Sequence, residues 1–144
     1  MFLGEYEVRI GDKNRLAIPA HFRTEFKPGL VLAQGMDDTP CLNVFTLAEW
    51  ERFYQRICAV PIEKSRGRDA RRLFFASAFS TEIDTQGRFV LPLGLRQYAQ
   101  LAENVMIVGA GDHLEIWNKD AWGPYREKLD GLRWQLTETL EQRS

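Results

Sequence analysis

The sequence predicts a β-rich α+β protein made of two similar halves, and three observations predict it. The first is a duplicated stretch. Ile83-Asp84-Thr85-Gln86-Gly87-Arg88-Phe89-Val90-Leu91-Pro92 shares its plan with Ile10-Gly11-Asp12-Lys13-Asn14-Arg15-Leu16-Ala17-Ile18-Pro19, and Ile10/Ile83, Arg15/Arg88, Pro19/Pro92 and Arg23/Arg96 keep one offset of 73 residues (88 − 15). The second is that short segments around each copy alternate apolar and polar residues with the period of a half-buried strand. The third is an aromatic stripe at helical spacing, Leu47, Trp50, Phe53, Tyr54 and Ile57, which is expected to pack into a core.

Each element has a local reason. In Glu5 to Ile10, Tyr6, Val8 and Ile10 point to one face and Glu5, Glu7 and Arg9 to the other, as in a strand. Gly11-Asp12-Lys13-Asn14 is turn chemistry, since Gly and Asn tolerate positive φ and Asp can bond its own backbone two residues on. A second strand, Arg15 to Ile18, ends at Pro19, which lacks a backbone donor and suits the start of a short helix over Ala20 to Phe26. Lys27-Pro28-Gly29 breaks that helix; Leu30-Val31-Leu32 and Leu42-Asn43-Val44-Phe45 follow as strands around the loop Gly35 to Pro40. Thr46-Leu47-Ala48-Glu49 is a capping box for the aromatic helix.

Val60 to Arg72 joins the halves and is the most basic stretch of the chain, with Lys64, Arg66, Arg68, Arg71 and Arg72 against Glu63 and Asp69. Such runs are usually solvated faces, although this one leads directly into the second half and could touch phosphate. Phe74 to Ile83 reads as a short helix and then a strand, after which the strand–turn–strand–Pro–helix plan returns. Val105-Met106-Ile107-Val108 answers Leu30-Val31-Leu32, Leu114-Glu115-Ile116-Trp117 answers Leu42 to Phe45, and Trp122 matches Trp50. Asn118 can cap a last helix, which Gly123-Pro124 is expected to kink or delay. Leu129, Leu132, Leu136 and Leu140 then form an amphipathic stripe able to pack on its own chain or on a neighbour. The resulting division is 5–60 and 76–125 for the repeats, 61–75 for the basic join and 126–144 for a C-terminal helix or tail.

Composition narrows the function. At 144 residues and 16.7 kDa, with 44% hydrophobic, 27% charged and 12% aromatic residues, the chain can bury a core. It has no apolar run long enough to span a membrane and no signal-peptide pattern at Met1-Phe2-Leu3-Gly4, so a cytoplasmic protein is expected. Cys41 and Cys58 stand apart, as do His21 and His113, so neither a zinc site nor a disulfide framework is indicated. Nothing resembles a phosphate-cradling glycine loop, or a nucleophile with its base; no enzyme, cofactor or small-molecule substrate is expected. A net charge of −1 and pI near 6.1 disfavour general coating of nucleic acid but leave a local basic face open.

The chemistry concentrates in the repeated turn. Each copy places an Arg directly after the turn, Arg15 and Arg88, and another eight residues on, Arg23 and Arg96. Arg15 and Arg88 could hold the turn by pairing with Asp12 and Asp84. Such a pair would also pre-orient a planar fork for phosphate or for the O6/N7 edge of guanine, and both roles can hold together.

These residues carry a resemblance. Ile83 to Pro92 with Leu95-Arg96, the opening Met1-Phe2-Leu3-Gly4-Glu5-Tyr6 and the strand Glu115-Ile116-Trp117 resemble the MraZ family, whose halves are each similar to the AbrB/SpoVT swapped-hairpin DNA-binding unit. The resemblance implies two such halves packed pseudo-symmetrically as one barrel-like core with flanking helices. It further implies a nucleoid-associated repressor that binds double-stranded DNA at G-rich direct repeats in the promoter of its own division and cell-wall operon, as a ring homo-oligomer. In the first copy the family's Asp falls on Gly11 and its Gly on Asn14. Carried onto this chain, the resemblance points to Arg15 and Arg88 for direct contact, Lys13, Arg9, Arg23 and Arg96 for phosphate or supporting contacts, and Asp12, Asp84, Gly87 and Asn14 for shaping the turns. Two rivals stay open: an AbrB-like antitoxin, and an oligomeric scaffold that uses its aromatic helices and leucine stripe without touching DNA.

Overall fold

The computed structural model describes residues 1–141; Gln142, Arg143 and Ser144, the end of the predicted tail, lie outside them. The first half runs β1 (Glu5–Arg9), a 3₁₀ turn (Asp12–Asn14), β2 (Arg15–Ala17), a 3₁₀ helix (Ala20–Phe26), β3 (Leu30–Gln34), β4 (Leu42–Thr46) and α1 (Leu47–Cys58). After α2 (Ser65–Ala76) the second half repeats it as β5 (Phe79–Thr81), β6 (Arg88–Val90), α3 (Leu93–Tyr98), β7 (Asn104–Gly109), β8 (Leu114–Asn118), α4 (Lys119–Gly131) and α5 (Arg133–Glu141).

The strands interleave the halves. One sheet has the order β1-β7-β8-β4-β3-β5, and β2 pairs with β6 in a separate two-stranded ribbon. Exchanging each strand for its counterpart in the other half reverses the order of the six-stranded sheet onto itself. The registers agree: Leu42 lies opposite Ile116 and Val44 opposite Leu114, while Arg15 lies opposite Val90 and Ala17 opposite Arg88. A pseudo-two-fold axis therefore passes between Asn43 and Glu115 and between Leu16 and Phe89. The sheet is open, with β1 and β5 at its edges, so the expected barrel-like core is not a closed barrel. β1 pairs only with β7 and the three-residue β5 only with β3, so the two edge strands do not join to close the sheet.

One apolar cluster, including Ile10, Leu16, Ile18, Phe22, Phe26, Phe89, Leu91 and Ile107, fills the space between sheet and ribbon. Two smaller clusters join helices to the sheet: Val31, Ala33 and Phe45 with Phe53 of α1, and Cys41, Val108 and Trp117 with Trp122 of α4. The Thr46 hydroxyl caps α1 by accepting the Glu49 N–H at 3.2 Å, but the Glu49 carboxylate accepts from Arg52 at 2.9 Å in place of closing the box. Within the aromatic stripe Phe53 is buried and Trp50 and Ile57 pack partly against it, while Leu47 and Tyr54 stay exposed.

The helices add two further findings, of which the second corrects the delayed start expected of the last helix. The basic join is largely the helix α2, which packs on α1 through Phe74 against Phe53 and Phe75 against Trp50 and Tyr54. Its arginines suit a helix, and the apolar pair at its end supplies the packing that a loop would lack. At the other end, α4 begins directly after its Asn118 cap, whose side chain accepts from Ala121 N–H at 3.0 Å, and runs through Pro124. The proline removes one donor, for the carbonyl of exposed Asp120, which solvent can satisfy.

Candidate nucleic-acid interface

The ribbon decides what the repeated turns display. Side chains alternate along a strand, so Leu16 and Phe89, opposite one another, both turn inward and are buried. Arg15, Ala17, Arg88 and Val90 consequently share the outer face, with the two arginines related by the pseudo-two-fold axis. Outside the ribbon a shallow groove of about 280 Å³ is lined by Arg15, Glu82, Asp84, Arg88 and Val90. The β2–β6 register, which joins residues far apart in the chain, sets Val90 opposite Arg15, and Glu82 reaches the groove from the segment between β5 and the second turn; the sequence singled out neither as a site residue.

Each turn closes within its own half and is bonded to the other. Gly11 N–H donates to Arg15 O and Asp84 N–H to Arg88 O, both at 2.8 Å. Ile18 N–H donates to Gly87 O at 2.9 Å and Leu91 N–H to Asn14 O at 2.8 Å. Because β2 and β6 are antiparallel, the turns sit at opposite ends of the ribbon.

In the second turn Asp84 organises the loop. Its Oδ1 accepts from the N–H groups of Gln86 and Arg88, each at 2.9 Å, and its Oδ2 accepts from Arg88 Nε at 3.0 Å. The Arg88 N–H foremost, with the Gln86 N–H and the Arg88 guanidinium, holds this carboxyl below the usual carboxylate range even against some desolvation. Gly87 takes φ +75°, the conformation that spares a residue without a Cβ.

The first turn is finished differently. Gly11 stands where Asp84 does, so no carboxylate collects those N–H groups, and Asp12 does not pair with Arg15. The one-residue shift that separates Asp12 from the family's position takes the carboxylate out of reach. Lys13 and Asn14 are both left-handed, at φ 61° and 58°. Among the described residues the side chains of Asp12, Lys13 and Arg15 have no hydrogen-bond or ion-pair partner, which leaves two cations unspent at this turn.

The remaining predicted residues have partners. Arg9 forms an ion pair with Glu103. Arg23 Nε donates to Ile18 O at 2.9 Å, and its side chain crosses Gly87 so closely that a Cβ there would lie 2.2 Å from Arg23 Nε. Arg96 Nε donates to Leu101 O at 3.1 Å and its Nη1 to Asn14 Oδ1. In the basic join, Arg71 ties α2 to the end of α1 by donating to Cys58 O at 3.2 Å, Arg68 donates to Ile62 O in the segment between the helices at 2.8 Å, and Arg72 donates to Asp69 within α2 at 2.9 Å.

Chemically, an outward pair of planar guanidinium forks on a two-stranded ribbon matches phosphate oxygens and guanine edges, and such a ribbon fits the major groove of a duplex. No group of His, Cys, Asp and Glu suited to a metal ion occurs among the described residues, and no described helix is long and apolar enough to cross a membrane.

The comparisons with known proteins agree on one family. The family model of the MraZ protein, described as antitoxin-like, matches the chain twice, over residues 1–73 and 74–143. The transcriptional regulator MraZ of Heliobacterium modesticaldum is 39% identical over 140 residues, which cover 97% of this chain and 96% of that protein. Its namesake in Micrococcus luteus is 41% identical over 125 residues (87% and 86%), and that of Dehalococcoides mccartyi strain BAV1 34% over 142 residues (99% of each).

Proposed function

The chain belongs to the MraZ family, and from that membership we propose that it is a transcriptional regulator that binds double-stranded DNA through the outer face of the β2–β6 ribbon and its two turns. The observation that carries the reading is the shared face of Arg15 and Arg88. Arg15 and Arg88 read guanine edges or adjacent phosphates, Lys13 adds a phosphate contact at the first tip, and Arg9 supports it from the neighbouring strand. The two halves act as AbrB-like units whose hairpins are exchanged across the pseudo-two-fold axis, an arrangement favoured by the pairing of β2 with β6. Several copies in a closed ring engage successive direct repeats in the promoter of the chain's own operon, near the nucleoid, and repress it. Such linkage converts weak single contacts into avidity through effective concentration, which suits a chain of net charge −1.

The test is fluorescence-anisotropy binding to duplex DNA from upstream of the chain's own gene, with a scrambled duplex as control, across a range of salt. Tight binding that prefers the native duplex and weakens steeply with salt supports the reading, because phosphate contacts release counterions. Equal weak binding to both duplexes removes it.

A second reading, an antitoxin that holds a protein toxin, is favoured by the description of the family and by exposed Trp134, Leu136 and Leu140 on α5. A protein that co-purifies with the chain at fixed stoichiometry, and whose release restores growth inhibition, would select it.

A further inference from the structure

We propose that Arg23 and Arg96 are positioning residues, not phosphate ligands: each braces the turn of the opposite half, so that the two turns are presented as one rigid pair. The inference rests on the DNA-binding reading for its consequence, but its geometry is independent of DNA. Arg96 follows the second turn in the chain, yet its guanidinium bonds Asn14 in the first; Arg23 follows the first turn, yet its stem lies across Gly87 in the second. Each arginine is also pinned to a backbone carbonyl, Leu101 O for Arg96 and Ile18 O for Arg23. Both are half-buried, whereas Lys13, free of partners, is exposed.

The two braces differ in kind, and the difference accounts for the departure of the first copy from the second. Gly87 leaves room for a packing contact, since any Cβ there would overlap Arg23. Asn14, at the matching position, has a Cβ and supplies an acceptor, so the first turn is held by a hydrogen bond in place of close packing. Asn is one of the few residues with a Cβ that tolerates φ near +60° and can also accept from a guanidinium. The glycine-to-asparagine exchange is therefore not a weakened turn. It is a second way to hold the same loop, in a copy that lacks the carboxylate of Asp84.

A brace makes three statements that a phosphate ligand does not. Without DNA, Arg96→Ala should accelerate amide exchange of the first turn more than that of the second, and Asn14→Gly should do the same while keeping a residue suited to φ +58°. With DNA, Arg96→Ala and Asn14→Gly should each weaken binding by roughly three- to tenfold, and the double variant by no more than one of them alone, as for two residues that form one contact. In an Arg15→Ala background Arg96→Ala should leave the salt dependence unchanged, whereas losing a phosphate ligand would lower the slope by about 0.9.

Asn14→Gly keeps the experiment decisive should Arg96→Ala fail to fold. Additive losses from the two variants, a fall in slope in the Arg15→Ala background, or unchanged exchange at the first turn each overturn the brace. If the unsubstituted protein binds no duplex while Asn14→Gly still loosens the first turn, the DNA reading falls and the brace stands.

Discussion

In the second turn the Asp84 carboxylate gathers two backbone N–H groups and the Nε of Arg88; in the first, Gly11 occupies that place and Arg15 has no side-chain partner among the described residues. Duplication has thus produced one arginine that is tied into its loop and one that is free, on the same face of the same ribbon. A tied arginine is pre-oriented and loses little freedom on binding; a free one meets its target without first giving up an ion pair. The comparison separates shape, which both turns share, from availability, which they do not.

The shared part is tested most severely beneath the arginines. Leu16 and Phe89 face each other at the centre of the ribbon, 0% and 2% exposed. Phe89→Ala should lower stability by about 3–5 kcal/mol and Leu16→Ala by about 2–5 kcal/mol, read by denaturant unfolding. Because the axis passes between them, either loss should loosen both turns in amide exchange; loosening of one turn only would show that the halves are mechanically separate.

The unshared part is tested by the arginines themselves. Arg15→Ala should weaken binding of the native duplex by about 1–3 kcal/mol if the side chain reads a base, with loss of discrimination against the scrambled duplex. It should leave the melting temperature in place, having no partner to orphan. Arg88→Ala should weaken binding and also lower the melting temperature, because Asp84 loses a partner. Equal effects of both variants on stability would remove the distinction between the turns.

Much of this was legible before any coordinates. Period-two alternation marked β1, β4 and β8, short unbroken apolar runs marked β3 and β7, Thr46 and Asn118 marked helix starts, and the offset between Arg15 and Arg88 marked the duplication. These signals are local or self-similar. Strand partnership is neither: β1 pairs with β7 and β5 with β3, across the halves, and no alternation in β1 specifies which distant strand it meets. The open sheet followed from that pairing, and so did the common face of Arg15 and Arg88. The roles of Arg23 and Arg96 were hidden for the same reason, since each contacts a turn about as far away in sequence as the repeat is long. The failure of Asp12 to pair with Arg15 was a matter of one position: the motif places its carboxylate four residues before the arginine, and Asp12 stands three before it.

Acid should erase part of the contrast between the turns. Asp84 has its carboxyl held below the ordinary 3.8 by the Arg88 N–H first and then by Gln86 N–H and the Arg88 guanidinium. A depressed carboxyl contributes stability above its unfolded value that disappears as pH falls through the folded one. The stability difference between the unsubstituted chain and Asp84→Asn should be constant above the ordinary aspartate range and shrink below pH 3.8. Asp12→Asn removes a carboxylate that has no partner among the described residues, so it should leave the melting temperature at neutral pH in place; a loss as large as that of Asp84→Asn would show that the first turn has a carboxylate contact after all.

A last contrast lies away from the ribbon, where the halves meet across β4 and β8 and the matching positions are Cys41 and His113. Cys41 is buried with the Trp117 and Trp122 cluster, and burial, aided by the charges of Glu115 and Asp37, pushes its thiol up to about 12. His113 lies against Phe45, with Nδ1 2.6 Å from Asp112 and Nε2 3.4 Å from Glu115. Burial alone would lower its pKa, but hydrogen bonds and charge from Glu115 and Asp112 outweigh it and raise the value above the ordinary 6.5. A base with a raised folded pKa contributes stability that is complete below the unfolded value and is lost as pH rises through the folded one. Melting temperatures should therefore decline as pH rises above 6.5, and His113→Asn should flatten that decline without altering the acid window of Asp84. Cys41→Ser, by contrast, should leave the slope near neutrality as it is, because a thiol with a pKa of about 12 keeps its proton throughout. Should His113→Asn leave the slope intact, the titrating group lies elsewhere and the carboxylate pair at His113 serves only to orient the ring on Phe45.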